Sequence, residues 1–189
     1  MTLALEVKNL SFSYDGKTPI IDNISFSLEK GETLGIIGLS GCGKSTLCQC
    51  LCGIIPHIQN GIMHGDVLLQ GQSTRSLSLP RLATKIGMVF QDPESQLFLP
   101  IVESELAFGP ENLCVASDEI RHIISRVASL VKIETLLYKS PNEISGGQKQ
   151  LVALSSVLCL NPEILILDEV TSQLDSESSE RILDIIIQL

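Results

Sequence analysis

Apolar and polar residues alternate along the first third of the chain. Leu3, Leu5 and Val7 are interleaved with Ala4, Glu6 and Lys8, and serines separate Ile24, Phe26 and Leu28. A period of two predicts two half-buried strands with a turn at Asp15-Gly16 between them. A second turn, Lys30-Gly31-Glu32, leads into Thr33-Leu34-Gly35-Ile36-Ile37. That unbroken apolar run predicts a strand buried on both faces. A glycine-rich loop and a helix over about 45–52 follow, then strand candidates at 66–70 and 86–90.

The period lengthens after Gln91. Residues 102–113, 117–131 and 133–138 read as helical, with Ile120, Ile123, Ile124 and Val127 spaced along one face. Together they predict a helical insertion over about 92–143. Ser145 then opens a helix to about Leu160, Ile164 to Leu167 reads as a buried strand, and Asp175 caps a last helix to Leu189. In that helix Ile182, Leu183, Ile185, Ile186, Ile187 and Leu189 put apolar groups on nearly all sides, a pattern that expects burial on more than one face. Strands exchanging with helices define an α/β chain, and 189 residues at 44% hydrophobic and 19% charged suit one domain with a sizeable core.

Charge and cysteine content narrow the chemistry. Thirteen Lys and Arg against 22 Asp and Glu give −9, which repels a phosphate backbone and argues against nucleic acid as a partner. Cys48, Cys50 and Cys52 fall on a helix, where Cys48 and Cys52 share a face and Cys50 points elsewhere. They read as small buried apolar residues rather than a metal site. No basic segment followed by an apolar block opens the chain, and the longest apolar stretch, Leu151 to Leu160, is far short of the ~20 residues that span a bilayer.

Gly38-Leu39-Ser40-Gly41-Cys42-Gly43-Lys44-Ser45 fits G-x-x-x-x-G-K-[ST] at the junction between an apolar run and a helix. Glycines let such a loop curl so that successive N–H groups point at phosphate oxygens, and the helix N-terminus adds partial positive charge. Lys44 reaches the β- and γ-phosphates in this reading, Ser45 coordinates Mg²⁺, and Thr46 assists at the α-phosphate. Ile164 to Leu167 ends in Asp168-Glu169, which suits one carboxylate for the metal and a second that polarises an attacking water. Ser145-Gly146-Gly147-Gln148 can be an ordinary helix cap, or a second anion site with several unsatisfied N–H groups. A second γ-phosphate site in one chain makes sense when the ATP is held by another subunit.

Glycine loop, SGGQ and Asp-Glu strand, in that order and with 20 residues from Gln148 to Asp168, resemble the nucleotide-binding domain of an ATP-binding cassette (ABC) protein along the whole chain. The resemblance implies a P-loop nucleotide-binding fold with a small antiparallel β subdomain and the helical insertion. It also implies ATP and Mg²⁺ as cofactors. By the same resemblance Gly38, Ser40, Gly41, Cys42 and Gly43 line the phosphates, Glu169, Lys44 and Gln91 are the catalytic set, and Ser45, Gln91 and Asp168 hold the metal. Tyr14 resembles the aromatic that stacks on adenine, its alternative being a core strand tyrosine. Gln91 resembles the glutamine linking chemistry to the helical insertion, its alternative being a solvated strand-end amide. Ser145, Gly146, Gly147 and Gln148 become the second anion site, and Ser172-Gln173-Leu174-Asp175 resembles a loop that crosses the dimer interface.

The segments 89–98 and 107–113 are similar to the ATPase subunits of energy-coupling factor importers, which take up vitamins or transition-metal ions, and Gly53-Ile54-Ile55-Pro56-His57 resembles members with two ATPase domains in one polypeptide. The implied partners are a second ABC ATPase domain, as a homodimer, a paralogue or a tandem domain, and an integral membrane transporter component. The implied location is peripheral, on the cytoplasmic side of the cell membrane. Gln96, Leu97 and Phe98 read either as local helical packing or as the surface that receives the membrane component.

Departures from the family are visible. Val170 replaces the usual proline after the catalytic glutamate, and Leu151 stands where arginine is common. The family continues past the Leu189 helix into a strand, a switch histidine and further helices, whereas His57, His64 and His122 all precede Asp168. The expectation is therefore a single ABC ATPase domain, incomplete at its C-terminus, with an unpaired sheet edge, weak ATP binding and poor turnover alone. Two rival readings are a soluble ABC ATPase outside transport and a non-catalytic ATP-binding fragment. A small-molecule P-loop kinase fits less well, since it leaves Ser145-Gly146-Gly147 without a task.

Overall fold

Strand β1 (Leu3–Ser13) pairs antiparallel with β2 (Ile21–Glu29), setting Val7 opposite Phe26, so the alternating first third forms the expected strands. The computed structural model describes residues 3–172 and 174–189, and these divide into two units, Met1–Ile86 and Gly87–Leu189. In the first, helix α1 (Lys44–Leu51) and the short α2 (Ile54–His57) precede β3 (Ile62–Leu69), β4 (Gln72–Ser73) and α3 (Leu79–Ala83). The sheet order is β2-β1-β3-β4, with β1 central and Val7 also facing Val67.

A register shift after Val7 and Lys8, with Asn9 in a left-handed conformation at φ 46°, resets the alternation. Leu5, Val7, Leu10 and Phe12 are all buried as a result, although a strict period of two would separate them. At the end of β1 the Asp15 carboxylate accepts from the Lys17 and Thr18 amides at 2.8 and 2.9 Å and from the Ser13 hydroxyl at 2.8 Å. The Thr18 and Lys17 amides, then the Ser13 hydroxyl, hold its carboxyl down at about 2. Its contribution to stability is present above the unfolded value of about 4 and fades as pH falls towards 2.

The run Thr33–Ile37 departs from the expected buried strand. It forms no strand, and Ile37 is 98% exposed. An apolar run becomes a buried strand only where neighbours supply ladder partners, and the β2-β1-β3-β4 sheet of this unit gives it none. Cys48, Cys50 and Cys52 are buried as expected. Burial, followed by the neighbouring Cys52, pushes the Cys50 thiol up to about 12.

The second unit pairs β5 (Ile86–Val89) with β6 (Ile164–Leu167). The Asp168 amide adds one bond past the end of β6, donating to the Val89 carbonyl at 3.0 Å. Three helices, α4 (Val102–Asn112), α5 (Ser117–Val131) and α6 (Gly146–Leu158), pack around Leu106, Ala128, Val152 and Leu154. Ile120, Ile124, Val127 and Val131 form the buried stripe of α5, the i, i+4, i+7, i+11 face of an amphipathic helix. Ile133 to Tyr138 is not a helix: only a 3₁₀ turn over Glu134–Leu136 forms there. The chain has just reversed at Lys132, and burial of Ile133 and Leu136 takes precedence over helical propagation.

Lys132 ends α5 in the left-handed conformation at φ 59°, where glycine is the usual residue, and the Ile133 amide closes the turn on the Ala128 carbonyl at 2.9 Å. Arg181, from α7 (Ser176–Gln188), donates to the Val131 and Lys132 carbonyls at 3.0 and 2.6 Å. Lys132→Gly is expected to stabilise the fold by about 1 kcal/mol, raising the melting temperature by about 2–4 °C; an unchanged or lower value in thermal melts would contradict this. Asp175 caps α7 as expected, accepting from the Ser178 amide at 2.9 Å. The helix is more one-sided than its composition predicts, with Ile182 and Ile185 buried while Leu183 and Ile187 are 51% and 82% exposed.

Candidate functional site

In the first unit the glycine loop runs into α1 with backbone geometry that requires glycine. Gly41 and Gly43 hold φ of 79° and 98°, and a Cβ on Gly43 would lie 2.9 Å from the Ile20 carbonyl oxygen. Gly38, Ser40, Gly41, Cys42 and Ser45 are exposed, and Gly43, Lys44 and Thr46 are half-buried, so the loop faces outward as one surface. The Lys44 ammonium folds back over it and donates to the Gly38 and Leu39 carbonyls, each at 3.1 Å. The Leu47 amide bonds the Gly43 carbonyl at 2.8 Å, so the amides immediately before it open the helix without an intrahelical acceptor. An exposed glycine loop, a helix N-terminus and a lysine are the elements that take phosphate oxygens, and in this structure the Cys42 amide donates to the Leu39 carbonyl at 3.3 Å.

Tyr14 is half-exposed rather than a core residue. Its ring stands edge-on to Phe12 at a centroid distance of 4.8 Å, and its hydroxyl is 3.4 Å from the Thr46 hydroxyl. The residues chosen for the base and for the phosphates therefore meet at the start of α1. Its neighbour in sequence, Asp15, anchors the turn that carries it.

In the second unit the two strand ends gather the polar residues expected there. Gln91 follows β5 and donates from Nε2 to the Ser172 hydroxyl at 3.3 Å. The Ser172 amide closes a turn on the Glu169 carbonyl at 3.0 Å. Asp168, at the end of β6, is buried, and Glu169 is exposed with φ 48°. A non-glycine residue in that conformation stores about 1–2 kcal/mol and aims its side chain where an ordinary strand extension would not. Within this unit the amide oxygen of Gln91 and the carboxylate of Asp168 are oxygen donors, as the hydroxyl of Ser45 is in the first, and oxygen is the ligand type Mg²⁺ accepts. Gln173, within the segment expected to cross an interface, lies outside the described residues, whereas Ser172, Leu174 and Asp175 are described.

The Ser145 turn serves its own helix as well. Ser145 Oγ accepts from the Gln148 amide at 3.3 Å, and the Ser145 amide donates to Gln148 Oε1 at 3.0 Å, a capping box. The cap leaves room for the anion reading, because the box engages the Gln148 amide and leaves Gly146 at the exposed tip, while Gly147 is buried. Gly146 is exposed, a Cβ there would meet nothing within 4 Å, and its φ lies outside the left-handed range.

Three residues escaped sequence reasoning. Gln150 is buried and donates from Nε2 to the Phe90 carbonyl at 3.0 Å, bracing the residue before Gln91. A polar residue heading the apolar run Leu151 to Leu154 was the available signal. Lys149 pairs with Glu94, and that hydrogen bond holds the Glu94 carboxyl below its ordinary range. Glu105 is buried in the first turn of α4 and accepts from the Phe98 and Leu99 amides. Of the 96–98 group, Gln96 exchanges hydrogen bonds with the Phe90 amide and the Met88 carbonyl, and Leu97 packs on the core. Phe98 stays 64% exposed, edge-on to Phe108 at 5.0 Å. Local packing thus accounts for Gln96 and Leu97 and leaves Phe98 as surface.

Residues 21–172 match the protein family described as ABC transporter. The chain is 44% identical over 183 residues to a protein of Pyrococcus abyssi that carries the name of an ABC transporter ATP-binding protein, covering 96% of this chain and 65% of that one. It is 41% identical over 181 residues to the energy-coupling factor transporter ATP-binding protein EcfA of Methanosarcina acetivorans, covering 95% of this chain and 64% of that one. It therefore spans a little under two thirds of the length of these curated relatives. The structure of cbiO1 from Clostridium perfringens, described as part of the ABC transporter complex cbiONQ, matches all of this chain and 74% of its own at 33% identity, with a TM-score of 0.85.

Proposed function

The chain belongs to the ABC transporter family, and from that membership we propose that it is an ATP-binding and ATP-hydrolysing subunit that powers import of a small solute, a vitamin or a metal ion, through a membrane transporter. In this reading residues 1–189 belong to a single ABC ATPase domain whose helical insertion covers about 92–143. It works as a pair of nucleotide-binding domains, the second a copy, a paralogue or a tandem domain. An integral membrane component engages the surface around Phe98, and the chain sits peripherally on the cytoplasmic side of the membrane. Among the described residues no helix is long and apolar enough to cross a bilayer.

The observation that carries the paired mechanism is Gly146. Glycine in a helix interior is disfavoured by about 1 kcal/mol relative to alanine. Its φ lies outside the left-handed range, and among the described residues of its unit a Cβ at this position would meet nothing within 4 Å. A group approaching the α6 N-terminus from outside, such as the terminal phosphate of an ATP held by another domain, supplies a demand for glycine.

The chemistry then divides among named groups. Tyr14 gives a half-exposed ring for adenine, the loop amides of 38–43 and the Lys44 ammonium bind the β- and γ-phosphates, and Thr46 assists at the α-phosphate. By the resemblance Ser45, Gln91 and Asp168 would hold Mg²⁺, which would supply charge neutralisation on the phosphate oxygens. Glu169 orients and polarises the attacking water. Resemblance to EcfA, named for energy-coupling factor transport, and to cbiO1, a part of a transporter complex, supports the importer over a soluble ABC ATPase.

The test is Glu169→Gln with ATP and Mg²⁺. Turnover is expected to fall by about 100-fold or more while nucleotide affinity stays within about threefold, since only the proton-accepting group is lost. The variant is expected to elute at twice its mass in ATP, and the parent protein to co-purify with a multi-spanning membrane protein. A Glu169→Gln protein that binds ATP yet remains monomeric at all concentrations would refute the paired mechanism.

A further inference from the structure

Gly147 owes its identity to a different cause from Gly146. It too lies in the first turn of α6 without a left-handed φ, but it is buried. A Cβ there would lie 2.5 Å from Ser178 Oγ and 3.0 Å from Ser178 Cβ, with Leu174 Cδ2 at 3.9 Å. Heavy atoms do not approach that closely, so alanine at 147 requires the α7 N-terminus to move. Ser178 cannot swing aside without loss, because its amide donates to Asp175 Oδ1 and its hydroxyl to Asp175 Oδ2, each at 2.9 Å. One carboxylate thus caps α7 and fixes the hydroxyl that rests against the anion-binding turn.

We propose that Asp175 and Ser178 are positioning residues for the Ser145–Gly147 turn: the capped N-terminus of α7 is the template against which the α6 N-terminus is seated, through the Gly147–Ser178 contact. The inference rests on the paired mechanism above and deepens it. It gives the lack of a side chain at the two positions different causes, Gly146 standing open and Gly147 packing against Ser178, while both remain part of the Ser145–Gly147 anion turn. It also makes the Ser172–Asp175 segment more than an interface loop, since its end sets the shape of the second anion site in the same chain.

The experiment is second-site rescue in the Glu169→Gln background, reading ATP-driven association by sedimentation and folding by thermal melts. Gly147→Ala is expected to weaken association about tenfold and to lower the melting temperature, as overpacking does. Adding Ser178→Gly is expected to return association to within about threefold of the parent, because the obstructing atoms are gone. Ser178→Val, which keeps both glycines and crowds the contact from the other side, is expected to weaken association about tenfold. Should Gly147→Ala alone fail to fold, Ser178→Gly must restore a cooperative melt. The inference is overturned if the double variant stays as impaired as Gly147→Ala, which is the result expected if residue 147 is glycine only because phosphate approaches it. It is equally overturned if Ser178→Val associates like the parent. A parent that binds ATP without associating would instead bring down the paired mechanism itself, and the inference with it.

Discussion

Lys44→Ala is expected to weaken ATP binding by more than about 100-fold and to bring steady-state hydrolysis below detection. The ammonium is held over the glycine loop by the Gly38 and Leu39 carbonyls, each at 3.1 Å, and so is already directed at the surface formed by the loop. Charge-assisted hydrogen bonds from an ammonium to phosphate contribute about 1.5–3 kcal/mol each, and a lysine reaching two phosphates makes more than one. Arginine at 44 is not expected to rescue, since its planar fork does not reproduce a compact cation seated between two carbonyls. The measurement is titration with a fluorescent ATP analogue, with a thermal melt as control. A Lys44→Ala protein binding within tenfold of the parent would remove the phosphate role from the loop.

Glu169→Gly is expected to separate stability from activity. The left-handed backbone at φ 48° costs a glutamate about 1–2 kcal/mol that glycine avoids. The variant should therefore melt about 2–4 °C higher while losing hydrolysis by about 100-fold to 10,000-fold through loss of the proton acceptor. Glu169→Gln carries the same backbone conformation and should lose the same activity with no gain in melting temperature. If Glu169→Gly melts lower than Glu169→Gln, the strain assigned to the turn after β6 is absent.

Much of this architecture could be read from residue order, and the failures share one cause. Strands β1 and β2, the helices α4, α5 and α6 and the Asp175 cap follow from periodicity and capping chemistry, which are local. The glycine loop, the Ser145 turn and the Asp168-Glu169 strand end are equally local, since each motif carries its own backbone demands. Thr33–Ile37 departs from expectation because an apolar run states a wish for burial without naming the neighbours that grant it. Ile133 to Tyr138 departs from expectation because Lys132 reverses the chain without glycine, the usual sign of such a reversal. Gln150, Glu105 and the Gly147–Ser178 contact depend on residues distant in sequence. A single polar letter inside an apolar helix hints at a partner and cannot say which.

The buried cysteines have a practical outcome. Cys48, Cys50, Cys52 and Cys159 are shielded, and burial pushes the Cys50 and Cys159 thiols up to about 12, so thiolate chemistry is closed to both near neutral pH. Cys42 and Cys114 are exposed. A maleimide dye thus has two addresses, one inside the phosphate loop and one just past α4. Replacing Cys42 by serine leaves a single handle for watching two copies meet, while retaining it alone turns the loop into its own occupancy reporter.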